Sequence, residues 1–354
     1  MTQPVLSVRN LRTTFKTDAG DVRAVDGVSF DVLPGEIFGI VGESGSGKSV
    51  TAMSILGLIP QPPARIESGE FLWKGRDLRK LNEEELRKTR GEEISMIFQD
   101  PMTSLNPVFT IGQQISDVVR AHHDASKAEA HDQAVAMLDL VGIPNPKQRV
   151  DDYPHQFSGG MRQRALIAIA IANDPDLIIA DEPTTALDVT IQAQVLEVLQ
   201  KAAAKTNSAV VLITHDLGVV AGLANRVAVM YAGQIVEEGS VDELYYRSRM
   251  PYAWGLMESI ARLDQRRLGR LRPIDGQPPN MLRPPTGCRF HPRCPYRDND
   301  RCLNQEPQLI ELENDHRARC HYSLAAGWVS PAERLVEPET RWHDHVRARE
   351  REAS

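Results

Sequence analysis

Two glycine-rich segments of this chain have the composition to hold phosphate. The first, Gly42-Glu43-Ser44-Gly45-Ser46-Gly47-Lys48-Ser49, follows the pattern G-x-x-x-x-G-K-[ST]. Its glycines let backbone N–H groups wrap phosphate oxygens, Lys48 meets the outer phosphates, and Ser49 offers a hydroxyl to Mg2+. The second, Phe157-Ser158-Gly159-Gly160-Met161-Arg162-Gln163-Arg164, opens another helix and so supplies another anion-binding N-terminus. A nucleotide-hydrolysing protein needs both only if two surfaces close on one triphosphate.

Downstream of the second loop, Leu177-Ile178-Ile179-Ala180-Asp181-Glu182 is an apolar strand ending in two carboxylates. Asp181 is suited to hold Mg2+ through water, and Glu182 to take a proton from the attacking water. In isolation such a pair is a solvated strand end; behind a phosphate loop it is catalytic equipment. A separate constellation lies near the C-terminus, where Cys288, Cys294, Cys302 and Cys320 form C-x5-C-x7-C-x17-C, the only cysteines of the chain. Four thiolates in that span can hold a structural zinc or an iron–sulfur cluster, although the paired C-x2-C knuckles of common zinc ribbons are missing. A metal-free cluster of thiols is the third reading. His291, His316 and His321 are close enough in sequence to be alternative ligands, or else plain surface residues.

The elements that must position these residues are readable from periodicity. Val5 to Val8 and Val22 to Val32 read as strands around a turn at Asp18-Ala19-Gly20-Asp21, a hairpin ahead of the first loop. Ile37 to Val41 is a continuous apolar run that suits a buried parallel strand, followed by the loop and a helix from Lys48 to about Leu58. Ile66 to Trp73 and Ile94 to Phe98 read as strands, the latter delivering Gln99 at its end. From Ile111 to Gly142 the pattern is helical with a polar break at His122-His123-Asp124, and Ser158 to Ala172 is a further amphipathic helix. Strand and helix then alternate again through Val189–Lys205, Ala209–Thr214 and Val227–Tyr231, as in a doubly wound core.

Composition narrows the function. The 354 residues carry 41 Lys and Arg against 48 Asp and Glu, a net charge of −7, which disfavours a nucleic-acid partner. Apolar runs such as Ala165–Ala172 fall short of the roughly 20 residues needed to span a bilayer. The start, Met1-Thr2-Gln3-Pro4-Val5, has neither a basic nor an apolar leader region, so a cytosolic location is expected, where disulfides are disfavoured. Between Arg262 and Arg297 lie nine arginines and two aspartates, a basic stretch that would face a partner, anionic lipid or solvent. It marks a boundary near residue 260, and the charged segment 335–354 is expected to be a flexible tail.

The order of these motifs resembles an ABC-transporter ATPase subunit over roughly residues 4–260: the loop Gly42–Ser49, Gln99 in Phe98-Gln99-Asp100, Ser158-Gly159-Gly160, Asp181-Glu182, Ala186-Leu187-Asp188, and His215 in Thr214-His215-Asp216. The resemblance implies an α/β fold: a P-loop NTPase (RecA-like) core with an antiparallel β subdomain, a helical subdomain inserted at about 105–175, and a small cysteine-containing extension over 261–334. It implies ATP and Mg2+ as cofactors, held by Ser44, Ser46, Val50 and the rest of the first loop. Gln99 would touch Mg2+ and the coupling surface, and His215 would position the γ-phosphate. Asp188 would lie at the seam of a head-to-tail dimer, in which the Ser158 loop of one subunit covers the ATP of the other. Phe15 would stack on adenine, against the competing role of a strand-face core residue.

Met161, where the family most often has Gln, is similar to the peptide and nickel importer branch; so are Thr184–Gln194, Met230–Gly233 and Pro251–Leu256. The cysteines resemble the C-terminal extension of dipeptide and oligopeptide importer ATPases, which can carry a 4Fe-4S cluster. The resemblance thus implies an ATPase, peripheral on the cytoplasmic side of the membrane, that energises peptide uptake. Its partners would be a second homologous ATPase, in a heterodimer or homodimer, two transmembrane permease subunits and, indirectly, an extracytoplasmic binding protein. Import of nickel or oligosaccharides, and a soluble nucleotide-gated clamp, are the alternatives.

Overall fold

Unbroken runs of β-branched and apolar residues put the parallel strands at the centre, because a strand covered on both faces has no polar alternation. The computed structural model describes residues 2–185, 187–258, 274–298 and 300–323. In chain order the strands are β1 (Leu6–Thr17), β2 (Gly20–Val32), β3 (Ile37–Val41), β4 (Ala64–Trp73), β5 (Arg76–Asp77), β6 (Ile94–Ile97), β7 (Leu177–Asp181), β8 (Ala209–Thr214), β9 (Arg226–Tyr231), β10 (Gln234–Ser240), β11 (Ile310–Glu311) and β12 (Arg317–Ala318). They build a four-stranded sheet ordered β2-β1-β4-β5 and an eight-stranded sheet ordered β11-β12-β10-β9-β3-β8-β7-β6. The segment β9-β3-β8-β7-β6 is parallel. Every residue of β7 and β8 is buried.

The antiparallel sheet covers one face of the large sheet. Leu6, Val8, Phe30, Phe71 and Trp73 share a core there with Phe38, Ile40, Ile179, Val211 and Ile213. On the opposite face, Ile178, Ala180, Val210 and Leu212 meet the helices. The helical pattern over 111–142 resolves into two helices, Ile111–His122 and Lys127–Leu140, and the second opens on a capping box of Ser126 with Glu129. The strand expected at Val5–Val8 is only the beginning of β1. Asn10, in the left-handed region at φ 48°, accompanies a register shift that lets the strand continue to Thr17.

The C-terminal region, expected as a small extension over 261–334, adds two short strands to the core sheet. β12 pairs antiparallel with β10, setting Ala318 against Glu237 and Arg317 against Glu238, and β11 pairs with β12. Buried carboxylates lock this joint. Glu238, 1% exposed, pairs with Arg226 and Arg317. Glu237, fully buried, faces His316 Nε2 at 2.7 Å and accepts from Ser248 Oγ at 2.8 Å. The arginines of 262–272 and the segment 335–354 lie outside the described residues. Among the described residues no helix is long and apolar enough to cross a membrane.

Candidate nucleotide site

The first glycine loop links the carboxyl end of β3 to the helix Lys48–Ile55. Gly47 caps that helix at φ 104°, and a Cβ there would sit 2.5 Å from the Ala24 carbonyl oxygen, so only glycine fits. From below, the Gly233 N–H donates to the Ser46 carbonyl at 2.9 Å. The Ser46 hydroxyl is buried with no partner among the described residues, a donor left for a phosphate oxygen. The Lys48 ammonium, 4% exposed, donates to the carbonyls of Gly42 (2.8 Å) and Glu43 (3.1 Å). Burial holds it below its ordinary pKa, against the pull of Glu182, Asp181 and Glu43. Ser44 and Gly45 are exposed, and Val50 is half-buried on the helix.

Parallel strands end together, so β3, β6, β7 and β8 deliver their C-terminal residues to one edge. Ser49 Oγ donates to Asp181 Oδ1 at 2.9 Å, joining the loop to β7. Burial raises the Asp181 carboxyl, and that hydrogen bond works against the rise. Beyond β7, Glu182 adopts a left-handed φ of 46°, which costs a non-glycine residue about 1–3 kcal/mol. Its Oε2 accepts from Gln99 Nε2 at 3.1 Å and from Thr185 Oγ1 at 2.8 Å, and His215 Nδ1 lies 3.4 Å away. Lys48, Ser49, Asp181, Glu182, Gln99 and His215 therefore lie together at this edge. Phe15 is half-buried on β1, opposite Val22 and Ala64.

Ser158, Gly159, Gly160, Met161 and Asp188 form a second group. Ser158 caps the helix Gly159–Ile171 by accepting from the Met161 N–H, and Asp188 caps Val189–Thr206 by accepting from the Ile191 N–H. The two helix starts are packed together: a Cβ on Gly160 would lie 2.7 Å from Ile191 Cγ2. Val189 is 81% exposed beside them. The second loop is thus a presented helix N-terminus whose first turn faces outward.

Cys288, Cys294, Cys302 and Cys320 line one cavity of about 310 Å3, together with Phe290, His291 and His321. All four are free thiols. Burial pushes Cys288 up to about 11 and raises Cys294 and Cys320 further. His316, an expected alternative ligand, is instead buried between Glu237 and Glu243. Among the described residues no three histidine, cysteine or acidic side chains lie close enough to grip one metal ion, which departs from the expected zinc or cluster geometry.

Within the basic stretch Arg283 and Arg297 are exposed, whereas Arg289 and Arg293 turn inward. Arg289 is buried, paired with Asp26, and donates to the Ala232 carbonyl. Arg293, its side chain 4% exposed, forks onto Glu43 of the first loop at 2.6 and 2.9 Å. Sequence reasoning found none of these partners, nor Thr185 under Glu182 or Tyr252, whose hydroxyl accepts from the Glu43 N–H at 2.9 Å. For Thr185 a signal exists, a hydroxyl three residues beyond the base in a tight turn. For Arg293 and Glu43, 250 residues apart, there is none.

This fold and site define a P-loop nucleotidase of the ATP-binding-cassette class. Residues 25–185 match the family described as ABC transporter, and residues 236–302 match the oligopeptide/dipeptide transporter C-terminal region. The chain is 54% identical over 295 residues to the dipeptide transport ATP-binding protein DppD of Bacillus subtilis (strain 168), covering 83% of this chain and 88% of that one. It is 52% identical over 312 residues to the oligopeptide transport ATP-binding protein OppD of the same organism, covering 88% and 87%. A solved dimeric ATP-binding cassette in a post-hydrolysis state, bound to ADP and Pi, is 28% identical with a TM-score of 0.60, covering 67% of this chain and 98% of that one. The chain belongs to the ATP-binding subunits of ABC transporters and is an ATPase.

Proposed function

We propose that this subunit energises uptake of dipeptides or oligopeptides through a separate membrane permease, docked on its cytoplasmic side. The observation that carries the peptide assignment is the match of residues 236–302 to the C-terminal region of oligopeptide/dipeptide transporters, since the catalytic half is common to ABC ATPases of many cargoes. In the proposed mechanism Lys48 and the loop amides cradle the ATP phosphates. Ser49, Asp181 and Gln99 would hold Mg2+, which when bound would neutralise charge on the phosphates. Glu182 takes the proton of the attacking water, His215 orients the γ-phosphate, and Phe15 stacks on adenine. Ser158, Gly159, Gly160 and Met161, with Asp188 at the seam, close over the nucleotide of a second, homologous ATPase subunit. That closure desolvates the phosphates and fixes the line of attack. Loss of the bridging γ-phosphate then reopens the pair. Residues 4–260 act as the catalytic unit in this reading, with 105–175 as the helical arm toward the permease.

The cysteine cavity is proposed to hold a 4Fe-4S cluster. What supports this reading is that four thiols, the number and ligand type such a cluster takes, line one cavity. When bound, the cluster would tie the four cysteine segments together. Iron and sulfide analysis with a visible spectrum of anaerobically purified protein tests this, and a colourless zinc-loaded sample would refute it. Reconstitution with the permease and a peptide-loaded binding protein tests transport: stimulated ATP turnover is expected, and unstimulated turnover with every peptide tried would overturn it.

A further inference from the structure

The chain between Cys288 and Cys294 has two faces. One lines the cysteine cavity, through Cys288, Phe290, His291 and Cys294. The other reaches the phosphate loop. Arg293, adjacent to Cys294, donates from Nη1 and Nη2 to the two carboxylate oxygens of Glu43. Its remaining donors are used as well: Nε on the Asp275 carbonyl at 3.0 Å, Nη2 on the Ile274 carbonyl at 3.3 Å, and Nη1 toward Tyr231 Oη at 3.4 Å. A guanidinium with every edge engaged has one orientation. Phe290 meets Tyr231 and Tyr252 at centroid distances of 5.3 and 5.4 Å, and Tyr252 in turn accepts from the Glu43 N–H. Arg289, on the same segment, holds the Ala232 carbonyl, next to the Gly233 N–H that supports Ser46. The first loop is thus gripped at Glu43 and underpinned at Ser46 by residues whose positions depend on one cysteine segment.

We propose that Arg293 is a positioning residue that couples the cysteine cavity to nucleotide binding: the packing of the cavity sets Arg293, and Arg293 sets the curvature of the phosphate loop through Glu43. Arg293 touches no phosphate in this scheme; its effect passes through the backbone of Glu43. This rests on the assignment of Gly42–Ser49 as the ATP loop, and it holds whichever group fills the cavity. Coupling of two binding events is reciprocal, so a nucleotide on the loop must tighten the cysteine segment as much as that segment tightens the loop.

Two measurements on the full chain test the coupling. The first is a double-mutant cycle on the equilibrium affinity for a non-hydrolysable Mg-ATP analogue, using Arg293→Gln, Glu43→Gln and the pair. Each single change should weaken binding by roughly fivefold or more, and the pair by no more than either one. Additive losses would overturn the proposal. The second is amide hydrogen exchange over residues 288–294 of the protein as purified, with and without the analogue. Nucleotide should slow it by roughly fivefold or more in the parent and leave it unchanged in Arg293→Gln, which a merely structural arginine would not do. Equal protection in both proteins, or none in the parent that binds the analogue, would overturn it. Glu43→Gln, which leaves the cysteine segment intact, serves as the second variant should Arg293→Gln fold poorly, with the same loss of protection expected. A parent that binds no nucleotide at all overturns the ATP-loop assignment instead, so the two failures are distinct.

Discussion

Glu182, the proposed base, is held in a conformation it resists. Three side chains meet its Oε2, and its backbone is left-handed. Replacing the carboxylate by an amide removes the proposed proton acceptor with little change of shape. Glu182→Gln should therefore lower ATP turnover by about two to three orders of magnitude while nucleotide affinity is retained, measured by steady-state kinetics and equilibrium binding. Thr185→Val removes only the brace. It should lower kcat about tenfold with KM nearly unchanged, because a misaimed base slows the step without altering substrate contacts. Asp181 gives a stability test. Its folded pKa is raised by burial, so the folded state binds that proton more tightly than the unfolded chain. Stability is then full below the unfolded carboxylate pKa and is lost as pH rises through the higher folded one, leaving the ionised group a net cost at neutral pH. Asp181→Asn should accordingly raise the melting temperature of the nucleotide-free protein at pH 7 and abolish Mg2+-dependent turnover. An unchanged or lower melting temperature would contradict this.

At the scale of elements, the large sheet owes its far edge to the C-terminal strands. Glu237 has no solvent, so its partners decide whether its burial is tolerable. His316→Ala removes one of them and should destabilise the protein by about 2 kcal/mol in denaturant unfolding, with turnover of the surviving folded fraction unaffected. How far these elements were legible depended on length and covering. β3, β7 and β8 are visible in the sequence because full burial writes an unbroken apolar run. The loop at Gly42 and the carboxylates at Asp181 and Glu182 were legible because each sits at a strand end at fixed spacing. β11 and β12 were not, since two residues carry no periodicity and their pairing is set by β10 some 80 residues earlier. The full span of β1 was hidden for another reason: its register shifts near Asn10, and a bulge erases alternation. Arg289 and Arg293 read as an outward basic face because sequence reports charge without its partner.

For the whole molecule, the two glycine-rich loops open different helices, the first Lys48–Ile55 behind β3 and the second Gly159–Ile171. In the proposed two-fold pair each subunit would lend its second loop to the other's nucleotide. Glu182→Gln with Mg-ATP should therefore sediment as a dimer, and Ser158→Glu in that background should return it to a monomer by placing negative charge against the triphosphate. Failure of Glu182→Gln to dimerise, alone or with its homologous partner, would sink the head-to-tail arrangement. The late pairing of β12 has one more consequence, for the order in which the protein is made. β10 is complete on the growing chain long before Arg317 leaves the ribosome, so for that interval its open edge offers unpaired N–H and C=O groups to any neighbouring strand. Chains halted before that point carry a sticky edge, with Glu237 lacking His316 and Glu238 lacking Arg317, and are open to edge-to-edge association.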